Sequence, residues 1–494
     1  MVDAMPLSDA KRKLLEKYYR GSSEESAGPV AAITPRSPGE PAPVSLSQEQ
    51  LLLREQRMQG GPALYNECIR LRMRGPLDIS ILEKSLREIV RRHEMWRSSY
   101  SMNGGRLMQV IHAAPEKVEL PVADLKGRPK AEADEEIHRV AGEALRQPFD
   151  LMEGPLWRAR MFRTADSDHS LFLSAHLSIV DGVSVYQVFP FELAALYCAY
   201  AFGQASPLQG LKVQFGDYAH WQREWLHTGE AARQVTYWKK QLAGPIPVLN
   251  WPVDRARPAN ETFCGVIQTF ALRHELVNAL GALCRQEGVT LFMGLLAVLV
   301  CLLRFYTQQE DIIVGTPSPS GRKRSEVQKL LGYFLNPVAL RFDLTRHLTF
   351  RTLLRQAQQL TLEALSNDDV PLEVLAQELG ADVKRGRNPF FTVAMSLQPP
   401  MPELDLAWSV TSMDIGSGGS PWDLYLAFIN RPTETMARVQ YNPDLFDAKT
   451  ITSMMADYQT LLHAVTGNPS SRISDIGISL LKERQRPALA NTNR

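Results

Sequence analysis

The segment Ser174–Ser184, with the sequence SAHLSIVDGVS, constrains the fold of this chain more than any other. Apolar residues over 170–177 predict a buried strand, and the apolar residues of 183–200 have helical spacing. Asp181 and Gly182 lie between the two. The segment therefore predicts a strand-turn-helix junction, which exposes main-chain N–H groups and the positive end of a helix.

Strands and helices alternate on both sides of this junction. The pattern predicts a strand near 65–73, helices over 79–93 and 130–147, and a second unit with a long apolar helix ending near Tyr306 and a buried strand from Asp311. A chain of 494 residues is too long for one ordinary core. We therefore expect a mixed α/β fold in two lobes, 44–225 and 226–485, which is compatible with a duplicated fold.

The two ends of the chain have a different composition. Residues 1–20 predict a short helix, and 21–43 are rich in Ser, Pro, Gly and Ala. Such a segment buries too little apolar surface to fold, so we expect a disordered linker there and a tail over 486–494. The linker is consistent with a domain cut from a longer polypeptide, and equally with the disordered tail of a separate protein.

Charge and cysteine content limit the class of protein. The 55 Lys and Arg residues nearly cancel the 54 Asp and Glu residues, so no overall field favours nucleic acid or an anionic membrane as partner. An odd number of cysteines without a CxxC pair indicates reduced thiols and a cytoplasmic protein: Cys68, Cys198, Cys264, Cys284 and Cys301. The longest apolar run, 291–303, is shorter than the ~20 residues that span a bilayer, and the polar N-terminus does not predict a signal peptide.

The junction resembles the HHxxxDG signature of the condensation domains of nonribosomal peptide synthetases, with Leu177 in place of the second histidine. Further segments match other motifs of that family in the expected order, over residues 44 to 480: Ser45–Leu51, Arg92–Arg97, Phe215–Gln222, Leu331–Asn336, Val370–Glu373, Arg387–Phe391 and Asp444–Asp447. The first of them departs from its motif, since Gln50 and Leu52 replace the usual Arg and Trp.

The resemblance implies two lobes, each similar to chloramphenicol acetyltransferase, which form a V-shaped pseudo-dimer with a central tunnel. Upstream donor and downstream acceptor carrier proteins, from flanking modules of a peptide or hybrid polyketide-peptide assembly line, would dock at its two mouths. Each carrier presents its substrate on a phosphopantetheine arm, and the acceptor amine attacks the donor thioester. The domain itself would hold no cofactor and no metal.

The resemblance makes His176, Leu177, Asp181 and Gly182 the catalytic candidates. Leu177 has no lone pair, so general-base catalysis at this position is lost, an effect of about 10²- to 10⁴-fold. His176 corresponds to the family's structural histidine, and it points to the opposite face of the strand. The hydroxyl of Ser178 is too weakly basic to replace the missing imidazole.

The remaining positions concern the shape of the site. The resemblance pairs Asp181 with Arg322 across the lobe junction. The N–H of Gly182 is a candidate oxyanion donor, with a glycine needed only for the turn as the alternative. Val183 replaces the family's usual tryptophan and reshapes the site. Further tunnel or loop candidates are Ser184, Asn336 and Ser420.

Other chemistry has little support in the sequence. His220 and His227 lack the further ligands of a zinc site. Residues 416–420 lack the lysine of a phosphate loop and predict a flexible loop near the tunnel. The basic run 384–387 predicts a solvated turn, with a surface facing a carrier protein as the alternative.

Three hypotheses about function remain open at this level. The first is a condensation domain that forms amides without the usual histidine, and the second is a noncatalytic domain that docks carrier proteins or tailoring enzymes. The third is another acyl transfer, an epimerisation or a dehydration; the heterocyclising branch is disfavoured because it has two aspartates at this motif. An engineered Leu177 is also compatible with the sequence.

Overall fold

The computed structural model describes residues 32–37, 40–58, 61–345, 348–381, 388–398, 404, 406–411, 413, 415–431 and 434–476. The predicted helix of 1–20, the tail of 486–494 and the basic run of 384–387 lie outside these residues.

The described helices and strands alternate along most of the chain. The strands are, as β1 to β14, Ala42–Pro43, Asn66–Arg74, Ser98–Asn103, Arg106–Ile111, Val122–Asp124, Trp157–Ala165, Asp168–His176, Val266–Leu272, Asp311–Ser318, Asn336–Asp343, Val393–Gln398, Trp408–Thr411, Leu424–Asn430 and Thr435–Tyr441. The α-helices are, as α1 to α11, Leu46–Arg57, Ile79–Arg92, Lys130–Arg146, Phe189–Ala201, Phe215–Trp225, Gly229–Gln241, His274–Gln286, Leu291–Thr307, Phe350–Leu365, Leu372–Glu378 and Ala448–Gly467.

Two mixed sheets form the framework of the two halves. The first has the strand order β12-β2-β7-β6-β5, and the second has the order β10-β9-β11-β13-β14-β8. A third, small sheet has the order β1-β4-β3. Helices cover both large sheets, and one continuous apolar core runs through both halves. The predicted mixed α/β fold with two similar halves is confirmed.

The boundary between the halves differs from the prediction. Strand β12 lies within the predicted second lobe, yet it pairs antiparallel with β2 of the first, with Trp408 opposite Met73 and Thr411 opposite Arg70. Beyond it, Ile415 belongs to the same buried apolar cluster as Phe172 of the first sheet. The predicted division at 225/226 is therefore wrong for this segment, since burying the edge of β2 requires a strand from the C-terminal half.

The N-terminal segment also differs from its prediction. Ile33 and Ala42 are buried, and β1 pairs with β4. The N–H of Arg36 donates to the carboxylate of Asp217 at 3.1 Å. The prediction of a disordered linker is thus wrong for residues 32–37 and 40–43. The buried side chains of Ile33 and Ala42 and the salt bridges of Arg36 hold this segment in place, although most of its residues are small.

The helix after the junction begins irregularly. Residues Ser184–Val188 form a π-helical turn, and α4 follows from Phe189. The N–H of Phe189 donates to the carbonyl of Ser184. Pro190, which has no N–H, interrupts the regular hydrogen-bond pattern at this point. The predicted helix of 183–200 is therefore present but begins with a wider turn, a feature frequent at functional sites.

The long apolar run of the sequence is a core helix. Residues 293–303 of α8 are all buried among neighbouring elements. Among the described residues, no single helix is long and apolar enough to cross a membrane, although α7 and α8 together pass such a test as a pair bent by 111°. The described cysteines are all free thiols.

Candidate functional site

A cavity of about 1290 Å³ lies where the two halves meet. Leu177 and Gly182 of the junction form part of its wall, and Tyr65, just before β2, adjoins them. The second sheet contributes Tyr425 from β13 and Arg438 from β14. The strand-turn-helix junction predicted from the sequence therefore opens into a space shared by both halves.

The turn of the junction is capped by Asp181. Its Oδ1 accepts the N–H of Ser184 at 2.7 Å, and its carbonyl accepts the N–H of Val185 at 3.1 Å. Gly182 and Val183 are the first two residues of the helical turn, so their N–H groups have no acceptor within the helix. Both residues line the cavity. Two N–H donors at a positive helix end are the groups that stabilise an oxyanion.

The absence of a side chain at Gly182 leaves open space. Its φ lies outside the left-handed region, and a Cβ placed on it would have Tyr186 Cδ2 at 3.8 Å as its nearest neighbour. Neither the turn nor the packing therefore requires a glycine. The interpretation of Gly182 as a turn residue alone has no support in this geometry.

A buried salt bridge anchors the turn to the second half. Arg322 donates from Nε to Oδ2 of Asp181 at 2.8 Å and from Nη2 to Oδ1 at 2.7 Å. The Asp181 side chain is 0% exposed and that of Arg322 is 6% exposed. The guanidinium also lies 4.5 Å from the ring centre of Phe334. The predicted pairing is present, and it joins the two halves beside the cavity.

His176 lies behind the cavity wall. Its Nδ1 accepts the N–H of Ser178 at 3.3 Å, which leaves the proton on Nε2, 2.6 Å from the carboxylate of Glu55. The side chain is fully buried and does not line the cavity. Leu177, which follows it, is partly buried and faces the cavity. This placement fits the structural interpretation of His176 and gives it no access to a substrate.

Of the four tunnel or loop candidates, Val183 lines the cavity. The other three, Ser184, Asn336 and Ser420, do not. Ser184 is buried, and its hydroxyl donates to the carbonyl of Gly332 at 3.0 Å. Asn336 is buried, and its amide donates to the carbonyls of Asp368 and Val370, both at 2.7 Å. These two predictions were wrong because polar side chains next to the cavity are used to hold neighbouring loops.

The loop of residues 416–420 is packed, contrary to the prediction of a flexible loop. The carbonyl of Gly418 accepts the N–H of Gly265 at 2.8 Å, and a Cβ on Gly419 would lie 2.7 Å from Leu64 Cα. Ser420 is buried, and its hydroxyl donates to the carbonyl of Trp422 at 2.7 Å, so this third candidate points away from the cavity. Within the described ranges, no group of three or more His, Cys, Asp or Glu side chains has the arrangement of a metal site.

Comparison with known proteins now identifies the family. The family model "Condensation domain" matches residues 40–489. This chain belongs to the condensation-domain family. The family prediction is confirmed, whereas the interpretation of the altered histidine motif stays a prediction.

Several large synthetases contain segments of similar sequence. One of the linear gramicidin synthase proteins of Brevibacillus parabrevis is 36% identical over 475 residues, 95% of this chain and 9% of that protein. Phosphinothricin tripeptide synthetase PhsC of Streptomyces viridochromogenes is 32% identical over 96% of this chain and 43% of its own length. This domain spans 9%, 6% and 9% of the length of the three gramicidin synthase proteins it matches.

Solved structures agree with the fold. The X-domain from teicoplanin biosynthesis superposes with a TM-score of 0.78 at 26% identity, covering 90% of this chain and 99% of that one. The first condensation domain of the calcium-dependent antibiotic synthetase gives a TM-score of 0.77 at 19% identity, covering 89% of this chain and 99% of that one. The second likeness shows the fold alone.

The cavity of this condensation domain holds two carboxylates that the sequence analysis missed. Glu67 lies on β2, and its side chain is exposed to the cavity. Because the cavity is enclosed by protein, desolvation raises the pKa of this carboxyl, while the charge of Arg438 acts to lower it. Glu373 lies in the first turn of α10, and burial raises the pKa of its carboxyl to about 7. Glu67 was detectable as an acidic residue inside a predicted strand, but its position opposite the junction depends on the strand register.

The wall near Glu67 carries other polar groups. Burial raises the pKa of the Cys68 thiol to about 12. The guanidinium of Arg438 donates from Nη2 to the carbonyl of Ile415 at 2.9 Å. Its Nε and the Oε1 of Gln398 are buried, and neither atom has a hydrogen-bond partner among the described residues. Polar and titratable groups therefore line the same cavity as the apolar side chain of Leu177.

Proposed function

We propose that this condensation domain forms an amide bond between an acyl donor and an aminoacyl acceptor that are both bound as thioesters to carrier proteins. The observation that carries the proposal is the junction at Asp181 and Gly182. It places Gly182 and Val183, whose N–H groups have no acceptor within the helix, in the wall of the cavity between the halves. Such donors stabilise the tetrahedral oxyanion formed when an amine attacks a thioester.

The cavity and the fold support this reaction over a simple hydrolysis. A volume of about 1290 Å³ exceeds the ~300–1000 Å³ of most small-molecule sites, so the cavity has room for parts of two substrates at once. Holding an amine and a thioester in contact lowers the barrier by up to roughly 7–11 kcal/mol in well-oriented cases. Orientation and oxyanion stabilisation are thus contributions that do not depend on the histidine that Leu177 replaces.

The partners and the compartment follow from the same proposal. The substrates arrive on phosphopantetheine arms of an upstream donor carrier and a downstream acceptor carrier, and the domain holds no cofactor of its own. The related proteins are named as synthetases of gramicidin, tyrocidine and chondramide, which supports a place in a peptide assembly line. Free cysteines fit a reducing cytoplasm.

A second candidate function is a noncatalytic docking domain. Leu177 and Val183 both depart from the family motif at the cavity wall. One similar structure is a complex of the X-domain and OxyB from teicoplanin biosynthesis, at a TM-score of 0.78. In this alternative the same fold binds carriers or a tailoring enzyme while no amide is formed.

The deciding experiment is intact-mass analysis of loaded donor and acceptor carriers mixed with this protein. The proposal predicts that the acyl mass moves to the acceptor carrier faster than in a mixture without the protein. Carrier binding without such transfer would support the docking function and overturn the catalytic one.

A further inference from the structure

The strand register places Glu67 beside Leu177. Strand β2 pairs antiparallel with β7, with Asn66 opposite His176 and Glu67 opposite Ala175. The pairing continues one step further, since the N–H of Leu177 donates to the carbonyl of Tyr65 at 2.7 Å. Glu67 and Leu177 are therefore diagonal across the end of this strand pair, where β7 passes into the 3₁₀ turn that begins at Leu177.

Glu67 also lies near the proposed oxyanion donors. Tyr186 is the side chain nearest to the open space at Gly182, and it interacts electrostatically with Glu67. All three residues line the cavity. Tyr186 is thus a common neighbour of Glu67 and Gly182 in the cavity wall.

The carboxylate of Glu67 is available to a ligand. None of the described residues forms a hydrogen bond or salt bridge with its side chain, which is exposed to the cavity. Arg438 is the cation that acts on it, and it favours the ionised form. The other titratable groups that interact with this part of the cavity are Cys68 and Tyr186, both with a raised pKa, together with Tyr425.

We propose that Glu67 is the catalytic base of this domain and accepts the proton of the attacking amine, in place of the histidine that Leu177 replaces. The inference rests on the proposed amide formation and deepens it.

The step balances without a further reactant. The amine nitrogen bonds to the thioester carbon, and the oxyanion accepts hydrogen bonds from the N–H groups of Gly182 and Val183. The proton leaves the nitrogen for the carboxylate of Glu67. The carbon–sulfur bond then breaks, the thiolate of the donor arm takes the proton back from Glu67, and the carboxylate is restored.

Glu373 provides a matched control, because it is the other acidic group of raised pKa described above in the cavity wall. It lies on α10, and its carboxylate is hydrogen-bonded to its own main-chain N–H. Its electrostatic neighbours are Arg54, Tyr65 and Tyr333, whereas those of Glu67 include Arg438 and Tyr186. At the other end of α10, Glu378 forms a salt bridge with Lys239 of α6 at 2.7 Å.

The test is a single-turnover transfer assay with loaded carriers, followed by intact mass. Glu67→Gln is expected to lower the rate by about 10²- to 10⁴-fold with carrier affinity unchanged, while Glu373→Gln leaves it within a few-fold. Glu67→Asp is expected to keep part of the rate. Adding Leu177→His to Glu67→Gln is expected to restore transfer, because it returns a base to the diagonal position.

The outcomes separate this inference from the function on which it rests. If the wild type transfers no acyl group, both are overturned. If the wild type is active and Glu67→Gln keeps its rate, only the assignment of Glu67 is overturned. A loss that neither Glu67→Asp nor Leu177→His relieves, or an equal loss in Glu373→Gln, would give Glu67 a structural role and contradict the proposal.

Discussion

Removing the carboxylate of Asp181 tests the junction between the two halves. Asp181→Ala eliminates two charge-assisted hydrogen bonds from Arg322, at 2.8 and 2.7 Å. It also eliminates one from the N–H of Ser184 at 2.7 Å and one from the N–H of Phe334 at 3.3 Å. Because the Arg322 side chain is only 6% exposed, water cannot replace these acceptors easily.

The magnitude follows from what remains around the guanidinium. Breaking a buried ion pair by removing one partner typically costs about 3–5 kcal/mol. Nη1 of Arg322 still donates to the carbonyl of Leu330 at 3.1 Å, and Nη2 to the hydroxyl of Ser184 at 2.7 Å. We therefore expect the lower part of that range, a loss of about 3 kcal/mol. For an unfolding unit of roughly 150–250 residues this lowers Tm by ~6–12 °C.

The assay is thermal unfolding of wild type and variant, with Asp168→Ala as a matched control. Asp168 also forms a two-point salt bridge, accepting from Arg72 at 2.9 and 2.7 Å, but the two side chains are 27% and 35% exposed. Its loss should cost about 1 kcal/mol or less. Equal shifts in the two variants, or no shift for Asp181→Ala, would refute the reasoning that burial makes the first pair essential.

Three further predictions concern groups in the cavity wall. Burial raises the pKa of Glu373 from 4.5 to about 7. The folded protein therefore loses stability as the pH rises through this range, at ~1.4 kcal/mol per pH unit and by up to roughly 3 kcal/mol in all. Glu373→Gln should therefore raise Tm relative to wild type at pH 8 but not at pH 4.5, and a difference independent of pH would contradict this. Gly182→Leu should abolish acyl transfer while Tm stays within a few degrees, since the nearest atom to a new Cβ is 3.8 Å away; a large fall in Tm would show that the site has no such space. Burial raises the pKa of Cys68 to about 12, so alkylation of this thiol at pH 8 should be roughly a thousandfold slower in native than in urea-unfolded protein. Peptide mass spectrometry measures both rates, and equal rates would contradict the burial of this thiol.

The sequence predicted those features that depend on local periodicity. The apolar residues over 170–177 predicted a strand, which the structure has at Asp168–His176. The helical spacing over 183–200 predicted a helix, whose α-helical part is Phe189–Ala201. The pairing of Asp181 with Arg322 came from the family resemblance, since the two residues are 141 positions apart.

Features that depend on long-range pairing were not predictable in this way. Strand β12 is only four residues long, and its place beside β2 has no local signal. The position of Glu67 next to Leu177 depends on the register of two strands about 100 residues apart. The ordered segment around Ile33 was missed because composition predicts disorder from an average, whereas a few buried side chains are sufficient to fix a chain.

The central claim is that amide formation takes place at the junction of Asp181 and Gly182 although Leu177 provides no base. The measurement that tests it most directly is the single-turnover rate of acyl transfer between loaded carriers, compared for wild type, Gly182→Leu and a mixture without the domain. We predict transfer above background for the wild type and none above background for Gly182→Leu, with carrier binding retained in both. Wild-type transfer that Gly182→Leu leaves unchanged would contradict the account, because the reaction would then occur away from this junction.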